Sequence, residues 1–383
     1  MLKLSHFSVQ RPRYRIEQGR ALEWLARIHT AAEATLEYQN ATKRDGFAER
    51  IDKLIQRCAC GPTQIGSRGH VTADLGSTDF ERSPLYDVTQ HPRGLGTAAR
   101  SRLFAETVDA YFEREFAEET AAPSDLIHVT CTGYVAPSGA QRVVANKGWG
   151  DRTRVTHAYH MGCYAAFPAI RLAAGALSLP ASLAAERAER RVDIAHTELC
   201  TLHLDPSEHS PEQLVVQSLF GDGFVRYSLR EGGEAPGLEV LALSEQILPD
   251  SAQSMGWACG DFGMHMTLAR DVPDRIAGAL RGFVLELFAK AGLSVSDLRG
   301  AVAAVHPGGP KIIDRVREVL ELSDTQVAAS RAVLFDYGNM SSATLPHVWA
   351  RVLADTDVPV GTPILSLAFG PGLTVCGGIF RKR

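Results

Sequence analysis

The segment TRVTHAYHMGCYAAFPAIRLAAGAL, residues 153–177, decides the fold class. Its first part, 153–158, contains three β-branched residues, Thr153, Val155 and Thr156, and predicts a strand. Its second part, 164–177, has the composition and spacing of an amphipathic helix, with a kink or a shifted start expected at Pro168. A strand that leads into a helix is the repeating unit of α/β proteins. Cys163 lies at the junction between the two.

The same alternation continues on both sides of this segment. Further strands are predicted at 126–131, 191–201, 238–243 and 300–305, helices at 139–146, 211–219, 272–291, 311–320 and 340–354, a tight turn at 220–223 and a closing hairpin at 363–381. The first 120 residues are predicted to be mainly helical, with helices at 16–40 and 99–119 and an irregular, exposed span at 61–94. Together these elements predict an α/β fold in which helices cover mixed sheets.

Composition excludes several classes of protein. A chain of 383 residues is too long for one ordinary core, so we expect two domains or one large duplicated domain. The net charge of −4 gives no general reason to bind nucleic acid or an anionic membrane. Because no apolar stretch approaches the length of a membrane span, we expect no contact with a membrane.

The cysteines indicate a reducing compartment. Their number, seven, is odd, and they are scattered along the chain rather than arranged as a disulfide framework. The N-terminus lacks the apolar core of a secretion signal, so we expect a cytoplasmic protein. Cys58-Ala-Cys60 lacks the usual two-residue spacer and a second ligand pair, and we therefore expect no metal.

Cys163 is a candidate nucleophile. The unpaired N–H groups and the dipole at a helix N-terminus stabilise a thiolate. The small residues Gly162, Ala165 and Ala166 leave room for a substrate carbonyl. The alternative is that Cys163 is one more small side chain in a core.

Two residues of the second half could act with this cysteine. His306 ends an apolar strand and precedes a Pro-Gly-Gly turn, a place where α/β proteins commonly build sites. Asn339 lies in a Gly-Asn turn before a helix, where it could equally be a helix cap. A Cys–His–Asn set is found in hydrolases and in condensing enzymes, and chain order does not decide between them.

The sequence motifs around these residues resemble those of a known family. HMGC at 160–163, FGDG at 220–223, HPGGP at 306–310, YGNMSSA at 337–343 and FGPGLT at 369–374 are similar to the motifs of chalcone synthase-like enzymes. These are the type III polyketide synthases of the thiolase superfamily, related to ketoacyl carrier-protein synthase III. The resemblance runs from about Leu126 to Arg381 and is weaker over the N-terminal helices.

The resemblance implies a fold and a reaction. The expected fold is the thiolase-like five-layered αβαβα arrangement of two related halves, 1–235 with the nucleophile and 236–383 with the histidine and asparagine. The expected enzyme is an acyltransferase that loads an acyl thioester and condenses it with a decarboxylated malonyl extender. It needs no cofactor, because coenzyme A or phosphopantetheine thioesters are its substrates.

The resemblance also assigns residues. Cys163 is expected to be acylated, while His306 and Asn339 donate hydrogen bonds to the oxygens where charge develops. The expected pocket residues are Phe220, Met266, His203, Trp257, Cys131, Thr132, Glu198, Ser341, Phe369, Gly370 and Pro371.

Departures from the family pattern suggest a different product. Met266 stands where a second phenylalanine is usual, His203 where plant members have threonine, and Trp257 where they have a glycine of the pocket floor. A bulky Trp257 shortens the cavity, and a soft methionine admits a flexible chain. We therefore expect a bacterial pyrone, resorcinol or quinone-type product.

The substrate carrier is left open by the sequence. Of the basic residues that grip coenzyme A in the family, only Arg57 is in register, with Lys53 and Arg68 nearby, and one arginine is a weak clamp for three phosphates. Delivery of acyl and malonyl groups by a carrier protein is therefore an alternative to acyl-CoA and malonyl-CoA. A homodimer is implied, but Ala136 replaces the methionine that reaches the partner's cavity in plant members.

Three other functions remain as alternatives. The nearest is a stand-alone ketosynthase that joins two carrier-bound β-keto chains and closes an α-pyrone. A cysteine hydrolase would have to admit water past Phe220, Met266 and Trp257. An inactive partner subunit would be expected to have lost part of the Cys–His–Asn set, which is complete here.

Overall fold

The computed structural model describes residues 1–40, 45–180 and 189–383, which form thirteen strands and ten α-helices. The strands are β1 (Leu2–Gln10), β2 (Tyr14–Glu17), β3 (Ser67–His70), β4 (Pro123–Thr130), β5 (Arg154–Tyr159), β6 (Glu189–Leu199), β7 (Asp222–Glu231), β8 (Leu238–Ile247), β9 (Met255–Gly260), β10 (Gly263–Leu268), β11 (Val302–Val305), β12 (Pro363–Gly370) and β13 (Thr374–Lys382). The helices are α1 (Gln18–Asn40), α2 (Phe47–Cys58), α3 (Thr97–Glu115), α4 (Gly139–Asn146), α5 (Ala166–Leu177), α6 (Pro211–Leu219), α7 (Val272–Lys290), α8 (Pro310–Leu320), α9 (Ala328–Tyr337) and α10 (Thr344–Ala354).

One mixed sheet of nine strands organises the chain, in the order β11-β12-β13-β8-β1-β7-β6-β4-β5. In the N-terminal half β4 is parallel to β5 and β6, and β7 and β1 follow antiparallel. In the C-terminal half β11 is parallel to β12, and β13 and β8 follow antiparallel. The halves meet where β1 pairs with β8, through Lys3–Glu239 and Leu4–Leu238. The expected boundary near residue 235 falls between β7 and β8.

Three buried clusters show how the layers stack. One packs α1, α3 and α4 against β4 and β6, and another packs α7 and α8 against β12 and β13. The third lies between the two half-sheets and is built from α5 and α10, with Ile170 and Trp349 fully buried. The order is helices, half-sheet, two central helices, half-sheet, helices. The five-layered αβαβα fold is therefore confirmed.

The prediction of a mainly helical N-terminus was wrong at its start. Residues 2–10 form β1, which pairs with β7 from Leu2–Glu231 to Gln10–Phe224 and lies inside the sheet. Its sequence, LKLSHFSVQ, has no clean alternation, since Lys3 and Ser5 are buried as well as Leu4. Its strand conformation is decided by its two neighbours in the sheet.

The span 61–94 is largely irregular, as predicted, but it is not simply exposed. It contains β3, and Leu85 and Tyr86 are fully buried. The fully buried carboxylate of Asp74 accepts the N–H groups of both, at 3.0 and 2.9 Å. This internal hydrogen bonding lets an irregular segment enter the core.

Elements around the proposed site were predicted closely. Strand β5 leads through a 3₁₀ turn, Gly162–Tyr164, into α5, and Pro168 lies in the first turn of that helix. The predicted tight turn at 220–223 was wrong, because β7 begins at Asp222. Within the described residues, no helix combines the length and the apolar character needed to cross a membrane.

Candidate active site

Cys163 sits in the tight 3₁₀ turn between β5 and α5 and is 8% exposed. Gly162, directly before it, has a φ of +79°, and a Cβ there would lie 2.5 Å from Cδ of Pro371. A Cβ on Gly370 would likewise lie 2.5 Å from the ring of Tyr164. Glycine is thus required on both sides of this contact, which brings the turn of one half against the β12–β13 loop of the other.

Asn339 projects from a short connection between α9 and α10. Its backbone is held against the end of α6, with its N–H on Leu219 O at 3.0 Å and its carbonyl accepting from Gly221 N at 2.9 Å. The carboxamide oxygen accepts from Ser341 N at 2.9 Å, and the side chain lies close enough to Cys163 to lower the pKa of its thiol. Ser341 contributes as well, with its Oγ 3.9 Å from Cys163 Sγ.

His306 follows β11 directly and is 1% exposed. Its N–H donates to Leu367 O on β12 at 2.7 Å, three residues before Gly370. Neither ring nitrogen has a hydrogen-bond partner among the described residues. Burial lowers the pKa of His306 to about 3, so the imidazole is neutral near pH 7. A buried, neutral and unpartnered imidazole is free to accept a proton or to donate one hydrogen bond.

The cysteine is protonated at rest. Burial raises the pKa of Cys163 to about 12, and Glu198 acts in the same direction. The contacts with Ser341 and Asn339 act against this but do not outweigh it. The expected stabilisation of a thiolate by the helix N-terminus is therefore smaller than the cost of burying the charge. Cys163 needs a base to become a nucleophile.

A small chamber of about 30 Å³ lies against Cys163. Its lining residues are Cys131, Thr132, Gly162, Cys163, Cys200, Phe220, Met255, Trp257, Met266, Ser341 and Pro371. Both halves of the chain contribute to it. No lining residue carries a charge in its usual state, so the chamber suits a reaction that must exclude water.

One wall of the chamber is the β9–β10 hairpin. Trp257 and Met266 are cross-strand partners, and Met255 lies two residues before Trp257 on the same face. The indole N–H of Trp257 donates to Cys131 O at 2.6 Å. Sequence reasoning missed Met255 and Cys200. Met255 could have been found from the alternation with Trp257, had 255–260 been recognised as a strand.

Glu198 and His203 lie behind the chamber rather than in its lining. Glu198 is fully buried and accepts from Cys131 N at 3.0 Å, from Thr132 Oγ1 at 2.9 Å and from Ser342 N at 3.3 Å. This carboxylate ties the end of β4 to the start of α10.

His203 has a similar supporting position. Its Nε2–H donates to Thr132 O at 2.8 Å, and its Nδ1 accepts from Met264 N at 3.1 Å. Burial lowers the pKa of His203 to about 4, so the ring is neutral. Phe369 is also part of the buried support, at the end of β12 and 4% exposed.

The prediction that Arg68 contacts a phosphate is corrected by the structure. It is 1% exposed and donates inward to Gln18 Oε1 at 2.9 Å, Gln217 O at 2.9 Å and Phe220 O at 2.6 Å. A guanidinium buried in this way cannot reach a phosphate at the surface. It holds the backbone of Phe220, a lining residue, in place.

Lys53 and Arg57 are both exposed on α2. Lys53 pairs with Glu49 at 2.5 Å, whereas Arg57 lies in the last turn, three residues before Cys60. Burial raises the pKa of the Cys60 thiol, and this is opposed by Arg68 and, to a smaller extent, by Lys311 at the start of α8. Lys311, which directly follows the HPGGP motif, is therefore a basic residue of this region that sequence reasoning missed.

The histidines before Cys163 have partners of their own. His157 Nε2 lies 2.9 Å from Ser138 Oγ, and His160 Nε2 lies 2.7 Å from Trp257 O. Among residues 1–40, 45–180 and 189–383, no group of three or more His, Cys, Asp or Glu side chains is arranged to hold a metal ion.

The sequence comparisons identify relatives. Residues 239–382 match the family of chalcone and stilbene synthases, C-terminal domain. The chain is 29% identical over 265 residues to type III polyketide synthase C of Arabidopsis thaliana, covering 67% of each chain. It is 30% identical over 266 residues to type III polyketide synthase A of the same plant, covering 67% of this chain and 65% of the relative. The match thus spans about two thirds of these relatives.

Solved structures share the fold over the whole chain. The type III polyketide synthase domain of Steely1 from Dictyostelium has a TM-score of 0.81 at 20% identity, covering 100% of this chain and 99% of that one. PKS-I of the brown alga Ectocarpus siliculosus has a TM-score of 0.81 at 22% identity, with coverage of 100% and 98%. Tetrahydroxynaphthalene synthase of Streptomyces coelicolor has a TM-score of 0.78 at 24% identity, with coverage of 100% and 99%.

Proposed function

We propose that this chain, which belongs to the chalcone synthase-like type III polyketide synthases, loads an acyl group onto Cys163 and extends it with a malonyl-type unit by decarboxylative Claisen condensation. The observation that carries this assignment is the small chamber without a charged side chain that Cys163 and Ser341 line, beside which the Asn339 carboxamide accepts from Ser341 N. The buried and unpartnered imidazole of His306 supports it. An acyl-enzyme and an enolate both need such a dry site with fixed donors.

Loading begins from a neutral thiol and a neutral imidazole. As Cys163 Sγ bonds to the thioester carbonyl carbon, its proton passes to His306. The carbon–sulfur bond of the substrate then breaks, and the departing thiolate takes that proton. The pKa values of about 12 for Cys163 and about 3 for His306 keep both groups in these uncharged forms until substrate binds.

Condensation uses the same donors a second time. The bond between the extender's α-carbon and its carboxylate breaks, carbon dioxide leaves, and the electron pair forms an enolate. Asn339 and His306 donate hydrogen bonds to the enolate oxygen. The α-carbon then attacks the acyl group, and Cys163 Sγ departs with the electron pair of the broken thioester bond.

The chamber favours a compact or flexible chain over a rigid aromatic one. Its volume of about 30 Å³ leaves little free space, and the bulky Trp257 is one of its lining residues. Met255 and Met266 are unbranched side chains that can move aside for a growing chain. We place the product among the pyrones, resorcinols and quinone precursors on this basis.

A carrier-protein route is the second candidate, and one observation favours it. Because Arg68 points inward, the exposed basic residues that the structure describes on α2 and at the start of α8 are Arg50, Lys53, Arg57 and Lys311, and Arg50 donates to Asp45 O at 2.7 Å. Lys53 is already paired with Glu49. So few basic residues to bind the phosphates of coenzyme A suit acyl and malonyl groups that a carrier protein delivers on phosphopantetheine. The same delivery would serve a reaction that joins two carrier-bound β-keto chains.

The assembly and compartment are part of the same proposal. Strand β5 ends the sheet, and Tyr134 beside it is 46% exposed, so this edge suits pairing with a second copy in a homodimer. The cysteines at all seven positions are free, which suits the reducing cytoplasm.

A starter panel tests the proposal. The protein is incubated with acyl-CoA and acyl carrier protein of graded chain length, with and without malonyl-CoA, and the products and the mass of the protein are measured. We expect an acyl adduct on Cys163 without malonyl-CoA and a longer released product with it. A released free acid of the starter's own length, in both conditions, would instead identify a hydrolase. Products formed from carrier-bound β-keto chains without malonyl-CoA would identify the second candidate.

A further inference from the structure

Thr344, the first residue of α10, is fully buried and lies directly behind the Asn339 turn. Its hydroxyl accepts the N–H of Met340 at 2.8 Å. The same hydroxyl lies 2.8 Å from Ser341 O and 3.3 Å from Asn339 Oδ1, both of which are acceptors. One side-chain oxygen therefore contacts three consecutive residues of the turn.

The carboxamide of Asn339 has a defined orientation because of these contacts. Its oxygen accepts from Ser341 N at 2.9 Å and lies 3.3 Å from Thr344 Oγ1, whose single proton is shared with the nearer Ser341 O. Rotating the amide by half a turn would bring its NH₂ group against the N–H of Ser341, so two donors would face each other. The NH₂ group therefore points away from Ser341 N, and the carboxamide acts on Cys163 in the direction expected of a donor, since it lowers the pKa of the thiol.

The turn itself is held in an unfavourable conformation. Ser341 has a φ of +48°, a region that residues with a side chain rarely adopt. Such a conformation persists when the surroundings over-determine it, and Thr344 bonds the groups on both sides, Met340 N and Ser341 O. Loss of the hydroxyl would remove both restraints while leaving the buried N–H of Met340 without this acceptor.

We propose that Thr344 is a positioning residue for the condensation, whose hydroxyl fixes the Asn339 turn so that the carboxamide NH₂ faces Cys163. Thr344 does not itself line the chamber; its hydroxyl contacts the backbone of Ser341, which does, and it acts through the Asn339 turn. This proposal rests on the proposed function for its role in turnover. The orientation of Asn339 toward the sulfur can be tested without any turnover.

The first experiment measures the alkylation of Cys163 by iodoacetamide, followed by mass spectrometry of the peptide that contains it. Because only the thiolate reacts and Asn339 donates to it, losing that donor raises the thiol pKa and slows alkylation at a fixed pH. We expect Asn339→Ala and Thr344→Val to slow alkylation at pH 8 by a similar factor, about threefold or more. Thr344→Ser, which keeps the hydroxyl, is the matched control and is expected to react like the wild type.

A double variant separates positioning from general support. If Thr344 acts through Asn339, adding Thr344→Val to Asn339→Ala causes no further loss. Multiplying effects in the double variant would overturn the proposal, as would wild-type alkylation in Thr344→Val. Melting temperatures of all variants show whether a loss follows from unfolding. The proposal would also be rejected if alkylation slowed in proportion to the drop in melting temperature and slowed equally in Thr344→Ser.

The second experiment measures decarboxylation of malonyl-CoA by the same variants. We expect kcat to fall roughly tenfold in Thr344→Val with little change in KM, because misplacing a donor costs rate rather than affinity. A wild-type protein that does not decarboxylate malonyl-CoA would count against the proposed function, while the alkylation series still decides the role of Thr344.

Discussion

Trp257 and Cys131 are joined across the two halves of the chain by a hydrogen bond of 2.6 Å, from the indole N–H to the backbone carbonyl. Cys131 directly follows β4 of the N-terminal half, whereas Trp257 lies on β9 of the C-terminal half. The indole is therefore fixed in the wall of the chamber rather than free to swing out. Chamber size in this protein depends on that contact.

Replacing Trp257 by alanine should lengthen the products. The change removes the largest side chain of the chamber wall, so we expect longer starters or additional extensions. Product masses from a graded acyl-CoA series measure this. Trp257→Phe, which keeps most of the bulk and loses the N–H, serves as the control, and an unchanged product range in Trp257→Ala would contradict the role of the wall.

Replacing Cys163 by alanine should abolish the covalent adduct. Incubation with an acyl thioester, followed by mass spectrometry of the intact protein, is expected to show acylation of the wild type and none of the variant. Cys200→Ala is the matched control, because Cys200 lines the same chamber and its thiol pKa is also raised by burial. Acylation of Cys163→Ala, or its loss in Cys200→Ala alone, would reassign the nucleophile.

Gly162→Ala should disrupt the turn that presents the nucleophile. A Cβ at this position meets Pro371 at 2.5 Å, and the φ of +79° is unfavourable for alanine. We expect acylation to be largely lost. Gly175→Ala, where a Cβ on α5 meets nothing within 4 Å, should instead raise stability by about 0.5–1 kcal/mol. Thermal melting and acylation assays on both variants make this comparison.

Arg68 and Arg57 should respond in opposite ways to substitution. Arg68→Met removes the guanidinium that donates hydrogen bonds to Gln18, Gln217 and Phe220. Because these acceptors are then left without that donor, we expect the free energy of unfolding to fall by about 3 kcal/mol. Arg57→Ala changes an exposed side chain and should leave stability within about 0.5 kcal/mol.

Substrate affinity completes that test. Arg57→Ala is expected to raise KM for acyl-CoA roughly threefold to tenfold if this arginine contacts a phosphate. Denaturant titration and steady-state kinetics measure the two quantities. A KM that is unchanged for acyl-CoA but raised for an acyl carrier protein would favour the carrier route, and an unchanged KM for both would remove Arg57 from the binding site.

Stability should fall steeply as the solution is acidified. Among the described residues, the histidines with a pKa lowered by burial to about 3 or about 4 are His29, His128, His196, His203, His306 and His347. In the unfolded chain each binds a proton near pH 6.5, so the unfolded state holds more protons below that pH. Each of these histidines then lowers the free energy of unfolding by up to about 1.4 kcal/mol per pH unit as the pH falls toward 4.

Asp222 acts in the opposite direction. Burial raises its pKa to about 7, so it favours the folded state as the pH falls from 7 toward 4. Burial also raises the pKa of Asp109, Asp193 and Glu198, so four described carboxyls oppose the six imidazoles, and we expect a net loss of stability between about pH 6.5 and pH 4. Denaturant midpoints measured across that range check the slope. A flat profile would show that the histidines are not buried as neutral groups.

The sequence by itself determined the fold class and the position of the candidate nucleophile. The strand–helix junction at Cys163, helix α4 and helix α6 were predicted almost to the residue, because local periodicity and turn chemistry decide such elements. Strand β1 escaped prediction because its conformation depends on pairing with β7 and β8. Local sequence carries little signal for a strand whose buried face includes Lys3 and Ser5.

Only the tertiary structure decided which side chains face the chamber and in what protonation state. Arg68 and Arg57 are the same type of residue, yet Arg68 is buried and donates to three acceptors, whereas Arg57 is exposed. Cys163 lies at a helix N-terminus that favours a thiolate, but the packing of both halves around it raises its pKa instead. Desolvation and side-chain direction are set by segments far apart in the chain, so no local pattern can specify them.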